Sequence, residues 1–327
     1  MRLWKKIRHH FESLACRTLA RSIPMLSRQR CISLAHLLGT LAFHIDRRGR
    51  KVAIDNIACA FGDRHSPGER IRIAHASYRN FARTMLDLFW ARRLTTENFS
   101  DWIRLEGFDE LRSTLSQTNR SCVLMCVHQG NWEWANLGTG FFGVHTLTLA
   151  ENFKNPSLTS VFSTAREHSG MKIIAQENSM LRMLRAALRG QALGMLVDLT
   201  LPPTQAATII EAFGMEICVP ILHAVLAQRA NTALVPVLTE PLPNGQCRVK
   251  ALAPVSFPSD ASPREIAQRC WNQFEPFLHA RPELYLWAYK HFRYRPRDTA
   301  RRFPAYSNES ILFEHLRASS VEQHPTR

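Results

Sequence analysis

An uninterrupted apolar run, Cys122-Val-Leu-Met-Cys-Val127, followed at once by His128-Gln129-Gly130-Asn131, constrains the fold of this chain more than any other segment. A run of strand length with no polar face suits a strand covered by other layers on both sides. Further strand candidates are Val144–Leu149, Met171–Ala175, Leu193–Asp198, Ala233–Leu238 and Cys247–Leu252. Between them lie stretches of helical composition at Pro156–His168, Ser179–Arg189, Pro220–Arg229 and Ser262–His279. Strands alternating with helices predict an α/β unit with a mostly parallel central sheet flanked by helices. No Gly/Ser/Pro-rich linker divides the 327 residues, so one large unit is expected.

Up to about residue 92 the sequence reads as helix. Trp4, Ile7, Phe11 and Leu14 recur at helical spacing with Lys5, Lys6, Arg8 and His9 between them, a pattern suited to a membrane interface. Pro24 ends that segment. A second stripe, Leu34, Leu37, Leu38, Leu41 and Ile45, runs into Arg47-Arg48-Gly49-Arg50-Lys51, a basic end suited to phospholipid headgroups. The alternative for both is an ordinary core-facing helix with a solvated basic side. Ser66-Pro67-Gly68-Glu69 is a capping box that starts another helix.

Forty-two Lys and Arg against 27 Asp and Glu leave a net charge of +15, which calls for an anionic partner, either acidic lipid or nucleic acid. No stretch is long and apolar enough for a confident spanning helix, and the amphipathic start does not read as a signal peptide. The eight cysteines sit mostly within apolar runs and without CxxC pairing, as reduced core residues do. Neither they nor the histidines fall at zinc-ligand spacing, so no metal site is expected. Gly138-Thr-Gly-Phe-Phe-Gly143 is a literal GxGxxG, but it follows a helix and precedes a strand, the reverse of the dinucleotide context. The serine-hydrolase elbow GxSxG is missing.

The chemistry points to the end of the first run. In a parallel sheet, ligands gather where strands end and helices begin, and His128 stands there. A spacing of five puts His128 and Glu133 about 140° apart on one helix. They can meet only if His128 is on the loop and Glu133 in the helix's first turn, the break that Gly130-Asn131 suggests. Such a pair suits deprotonation of a hydroxyl: a neutral imidazole takes the proton while a carboxylate on its other nitrogen fixes the tautomer. The helix N-terminus adds backbone N–H groups near an oxyanion. The plain alternative is a loop histidine bonded to a carbonyl, with Glu133 favoured by the helix dipole. Asp198, at the end of its strand, suits either substrate orientation or a bond to a neighbouring loop.

His128-Gln-Gly-Asn-Trp-Glu133 resembles the His-x4-Asp/Glu signature of glycerolipid acyltransferases, in the form of the lauroyl/myristoyl transferases of lipid A biosynthesis. The resemblance extends along most of the chain. Arg50 to Asn56 with Phe61 is similar to that family's basic helix and Asn-Leu segment, and Lys154-Asn155-Pro156 to its Asn-Pro turn. Leu196-Val197-Asp198 resembles its strand ending in Asp, and Ala212-Phe213-Gly214 its Phe-Phe-Gly turn. Pro282 to Trp287 with Phe292 to Pro296 resembles its C-terminal signature. The chain departs from the pattern at Glu151, where the family commonly has arginine, and at Met215-Glu216-Ile217, where Arg/Lys-Pro-Ala is usual.

The resemblance implies a glycerolipid-acyltransferase-like α/β fold, and the residue pattern divides the chain into three parts. Residues 1–45 would be amphipathic membrane-associating helices, 46–306 the acyltransferase domain and 307–327 a flexible tail. It implies an acyl carrier protein or coenzyme A thioester as donor, a membrane glycolipid hydroxyl as acceptor, and no metal or redox cofactor. His128 and Glu133 would be catalytic, with Gly130, Asn131, Lys154, Asp198, Phe213 and Gly214 contacting substrate. The expected location is the cytoplasmic face of a bacterial inner membrane, with acyl carrier protein, lipid acceptor and membrane surface as partners and no nucleic acid. Two other readings stay open: the same chemistry on a lysophospholipid or another glycolipid, and a non-catalytic basic protein that binds membranes or nucleic acid.

Overall fold

The computed structural model describes residues 2–118, 120–176, 179–204 and 206–322. Four helices come first, α1 (Arg2–Ser22), α2 (Arg28–Ile45), α3 (Arg47–Phe61) and α4 (Pro67–Trp90). Then follow β1 (Ile103–Glu106), α5 (Phe108–Thr118), β2 (Cys122–Cys126), α6 (Trp132–Phe141), β3 (Leu147–Ala150), α7 (Pro156–Arg166), β4 (Lys172–Ala175), α8 (Ser179–Leu188) and β5 (Leu193–Leu196). The hairpin β6 (Ala207–Ala212) and β7 (Met215–Pro220), α9 (Leu222–Ala230), β8 (Ala233–Pro241), β9 (Cys247–Ala251), α10 (Pro263–Ala280) and α11 (Ile311–Glu322) complete the chain.

Seven strands form the central sheet in the order β1-β9-β8-β2-β5-β3-β4. Every pairing is parallel except β8 with β9. β2 lies in the middle, and its two faces feed two cores. Val123 and Met125 pack with Met195, Leu226 and Phe274, whereas Cys122 and Leu124 pack with Trp134, Leu137 and Val235. That double burial is why its sequence is apolar at every position.

The sheet is not closed along its length. β5 pairs with β2 over four residues but with β3 only at Leu147↔Leu193 and Thr148↔Gly194. Beyond that point β3 and β5 part at their C-terminal ends, beside the end of β2.

The helix starts are set by local chemistry. Ser66 and Ser262 form full capping boxes with Glu69 and Glu265, and Asn131 and Asn155 cap α6 and α7. The GxGxxG segment is the end of α6 and the turn after it. Gly138 and Gly140 allow Ile103 and Ser169 to approach the helix closely.

Three features differ from the sequence expectation. β1, α5 and the β6–β7 hairpin were not anticipated, and Pro220 closes β7 instead of opening α9. The hairpin turns on Phe213 and Gly214, both with positive φ, the geometry of a tight primed turn, although its strands read as apolar runs without alternation. The expected flexible tail contains α11, which buries Phe313 against Ile209 and Cys218 of the hairpin. Residues 323–327 of that tail lie outside the described residues. α2 packs along α4, where its buried Arg28 pairs with Asp87 through both terminal nitrogens.

Candidate active site

His128 stands two residues past the end of β2, and Asp198 two residues past the end of β5. The β2–β5 register pairs Cys126 with Leu196, so its continuation brings residues 128 and 198 side by side. The Asp198 carboxylate accepts from His128 Nδ1 at 2.8 Å and from the His128 backbone N–H at 2.9 Å. Burial alone would raise the Asp198 carboxyl. The attraction and hydrogen bond of the His128 imidazole, with help from His291, outweigh it and hold the group below its ordinary value. An ionised carboxylate only accepts, so the proton on that side of the ring sits on Nδ1. In the neutral ring the lone pair is then on Nε2. The Trp132 ring meets the imidazole edge to face, with centroids 4.9 Å apart.

The loop carrying His128 is held from two directions. Leu286 N–H donates to the His128 carbonyl at 3.0 Å and Gly130 N–H to the Leu284 carbonyl at 2.9 Å, so the Pro282–Trp287 segment lies against it. From β8, the Thr239 hydroxyl donates to the Gln129 carbonyl at 2.6 Å and accepts from Asn131 N–H at 2.8 Å. Gly130 has φ +61°, and any Cβ there would overlap the Thr239 carbonyl and hydroxyl oxygens. Asn131 caps α6 by accepting from Trp134 N–H at 3.0 Å and donates to buried Asp87 at 2.9 Å. Asp87 is held in turn by Arg28 and Arg83.

Glu133 lies in the first turn of α6 as expected, but its carboxylate is gripped by Arg166 in the last turn of α7, at 2.6 and 2.9 Å. The carboxylate on the histidine's Nδ1 is therefore that of Asp198, and not that of Glu133 as the motif suggested. Among the described residues no hydrogen bond joins His128 to Glu133. Burial lowers the Arg166 guanidinium and the Glu133 charge and hydrogen bond raise it, with the pair winning.

His128, Trp132 and Glu133 open onto a cavity of about 690 Å³, within the roughly 300–1,000 Å³ typical of small-molecule sites. Its walls come from both faces of the sheet, Leu124 and Leu196 on one and Met195 and Val197 on the other, so it threads the gap between β3 and β5. Lys154, Glu151 and Phe153 line it on the β3 side. The space is mostly apolar, with titratable groups at His128, Glu133 and Arg166, in the segment 151–154, and at His223 on the α9 side.

A profile of the bacterial lipid A biosynthesis acyltransferases matches residues 8–294, most of the chain. The chain belongs to this family. No curated protein matches it at a significant level. Membership makes the protein an acyltransferase of lipid A biosynthesis, which implies an acyl donor, a lipid acceptor and action at the bacterial membrane. Among the described residues no helix is long and apolar enough to cross a membrane.

Of the residues singled out from the sequence, His128, Glu133, Lys154 and Asp198 meet at or beside this cavity, and Gly130 and Asn131 shape the loop under it. Phe213 and Gly214 do not line it. Phe213 packs its ring among Phe61, Trp271, Tyr285 and Trp287, so the Phe-Gly turn buttresses the C-terminal segment. Sequence reasoning missed Arg166, Thr239 and the Arg28–Asp87 pair. Each is distant in sequence from the motif, and only the tertiary fold brings it near.

Proposed function

We propose that the protein moves a fatty acyl chain from a thioester, carried by acyl carrier protein or coenzyme A, to a hydroxyl of a membrane glycolipid of the lipid A type. The observation that carries this reading is the polarised His128: Nδ1 is tied to Asp198, and the ring lines a chain-sized apolar cavity. Nε2 takes the proton of the acceptor hydroxyl as its oxygen attacks the thioester carbonyl. Asp198 stabilises the imidazolium so formed, as the third member of a triad does. The N-terminus of α6, at Trp132 and Glu133, offers its dipole to the developing oxyanion. When the carbon–sulfur bond breaks, the proton passes from Nε2 to the departing thiolate. Atoms and electrons balance without a metal or redox cofactor.

Glu133 enters this scheme through Arg166. The pair ties the first turn of α6 to the last turn of α7, and so holds the cavity wall facing His128. We place the reaction at the cytoplasmic face of the inner membrane, with α1 against the lipid: Trp4, Phe11 and Leu14 project from it into solvent. Lys154 and the basic surface suit the anionic groups of lipid and carrier. A glycolipid is preferred over nucleic acid as the anionic partner because the cavity beside the histidine is apolar.

The test is transfer of labelled acyl groups from acyl carrier protein or coenzyme A to extracted lipids, with the product identified by mass spectrometry. His128→Ala should lower turnover by at least roughly 10² to 10⁴-fold with the fold retained. Glu133→Gln should lose nearly as much, since it leaves the half-buried Arg166 without its carboxylate. Near-normal turnover in both variants would put the chemistry elsewhere in the chain.

A further inference from the structure

The cavity wall made by β5, α8, α9 and the segment after Asp198 is built of Met195, Val197, Met180, Leu222 and Leu201, and His223 lines it with them. His223 is 2% exposed, and neither Nδ1 nor Nε2 has a hydrogen-bond partner among the described residues. The backbone nearby is already committed. Ile221 N–H donates to the Ala206 carbonyl, Val225 N–H to the Ile221 carbonyl, and Val219 pairs with Thr208 in the hairpin. Leaving a buried polar group unsatisfied is costly, which marks such a group as one that awaits a partner. Its burial pushes the imidazole down to about 4, so the ring that faces the cavity is neutral.

A neutral imidazole offers one donor and one acceptor. A plain alkyl chain satisfies neither. An ionised ligand is excluded by the apolar wall, where a charge would be left without a partner. A hydroxyl fits, because it donates and accepts and is cheap to bring into an apolar space once bonded. We propose that His223 recognises a hydroxyl carried on the acyl chain that fills the cavity, so that the enzyme selects hydroxylated over plain chains. This rests on the acyl-transfer reading given above, which assigns the cavity to a chain.

The probe is a series of acyl thioesters of one length, each with a hydroxyl at a different carbon, beside the unsubstituted chain. Binding of the matching free fatty acids to the full-length protein is measured by calorimetry in parallel. One hydroxylated chain is expected to exceed the plain one by about tenfold in kcat/KM and in affinity, the worth of one hydrogen bond that would otherwise go unmade. His223→Leu should remove that ratio, and His223→Gln, which keeps a donor and an acceptor, should restore part of it; thermal melting checks the fold of both. Equal use and equal binding of every chain would mean that water satisfies the ring, and would overturn the proposal. So would a preference that survives in His223→Leu. Preferential binding of a hydroxy acid by a protein that transfers no acyl group would support this inference while sinking the acyl-transfer reading.

Discussion

Asp198 and His223 are both buried titratable groups at one cavity, and burial acts on them with opposite outcomes. Asp198 has three N–H or imidazole neighbours that favour its charge, so it stays ionised below its ordinary value. His223 has none, so burial acts alone and takes it from 6.5 to about 4. The unfolded chain therefore takes up a proton between those values that the folded protein refuses. The stability that goes with a neutral His223 is complete above 6.5 and is lost as pH falls toward 4, on the order of 3 kcal/mol in all. In urea unfolding across that window, His223→Leu should show a shallower acid decline than the parent. Equal slopes would mean that the imidazole is solvated or paired in solution. Little of this was legible in the sequence. A histidine at 223 in an apolar stretch looks like any core residue, and Asp198, at the end of its strand, left open whether it orients substrate or bonds a neighbouring loop. Its partnership with His128 needs the β2–β5 adjacency, which chain order does not disclose. His128 was legible because a polar residue that ends a wholly buried strand has few places to point.

The β2–α6 connection decides the geometry, and it is an element in which local and distant sequence cooperate. Gly130-Asn131 announced the break: a left-handed glycine followed by a cap is a strand-to-helix turn in any context. Its anchor was not announced. Thr239 lies just past the expected strand Ala233–Leu238, yet its hydroxyl serves both the Gln129 carbonyl and the Asn131 N–H. Thr239→Val keeps the shape and leaves those two groups unsatisfied, at a cost of about 1–3 kcal/mol each. The melting temperature should fall accordingly, and turnover should fall further than stability alone explains, because the same loop aims His128. A variant that melts like the parent and turns over normally would show that the hydroxyl is dispensable to the turn. The hairpin β6–β7 escaped the sequence reading for a related reason. Its strands are nearly all buried, by α10 on one side and α11 on the other, so they lack the alternation that marks an exposed hairpin.

Across the whole molecule, the first 45 residues have two roles that a single membrane segment would not. α2 belongs to the body: Arg28 shares with Arg83 the buried Asp87, which holds Asn131 beneath the site, so removing residues 1–30 would leave that carboxylate to Arg83 alone and weaken the support of the catalytic loop. α1 is different. It docks on α7, where Asn155 donates to the His9 carbonyl, buries Cys16 and Ala20, and leaves Trp4, Phe11 and Leu14 at 79%, 65% and 55% exposure. No packing requirement explains large apolar groups at that exposure, which α2 also shows at Leu37, Leu41 and Ile45; the proposed insertion at a lipid interface would explain them. Replacing all three by serine is the cleaner test than truncation, since it spares the docked face and Arg28. Each side chain is worth about 1.5–3 kcal/mol when fully buried, so partial insertion of three should be worth about 3 kcal/mol, roughly 100-fold in partition onto vesicles containing acidic lipid. Melting temperature and transfer to a detergent-solubilised acceptor should hold near the parent values. High salt should release little of the parent protein, because the apolar share of the binding is not screened. Unchanged partition of the triple-serine variant, with the parent fully released by salt, would reduce attachment to electrostatics spread over the +15 surface and leave α1's exposed face without a role.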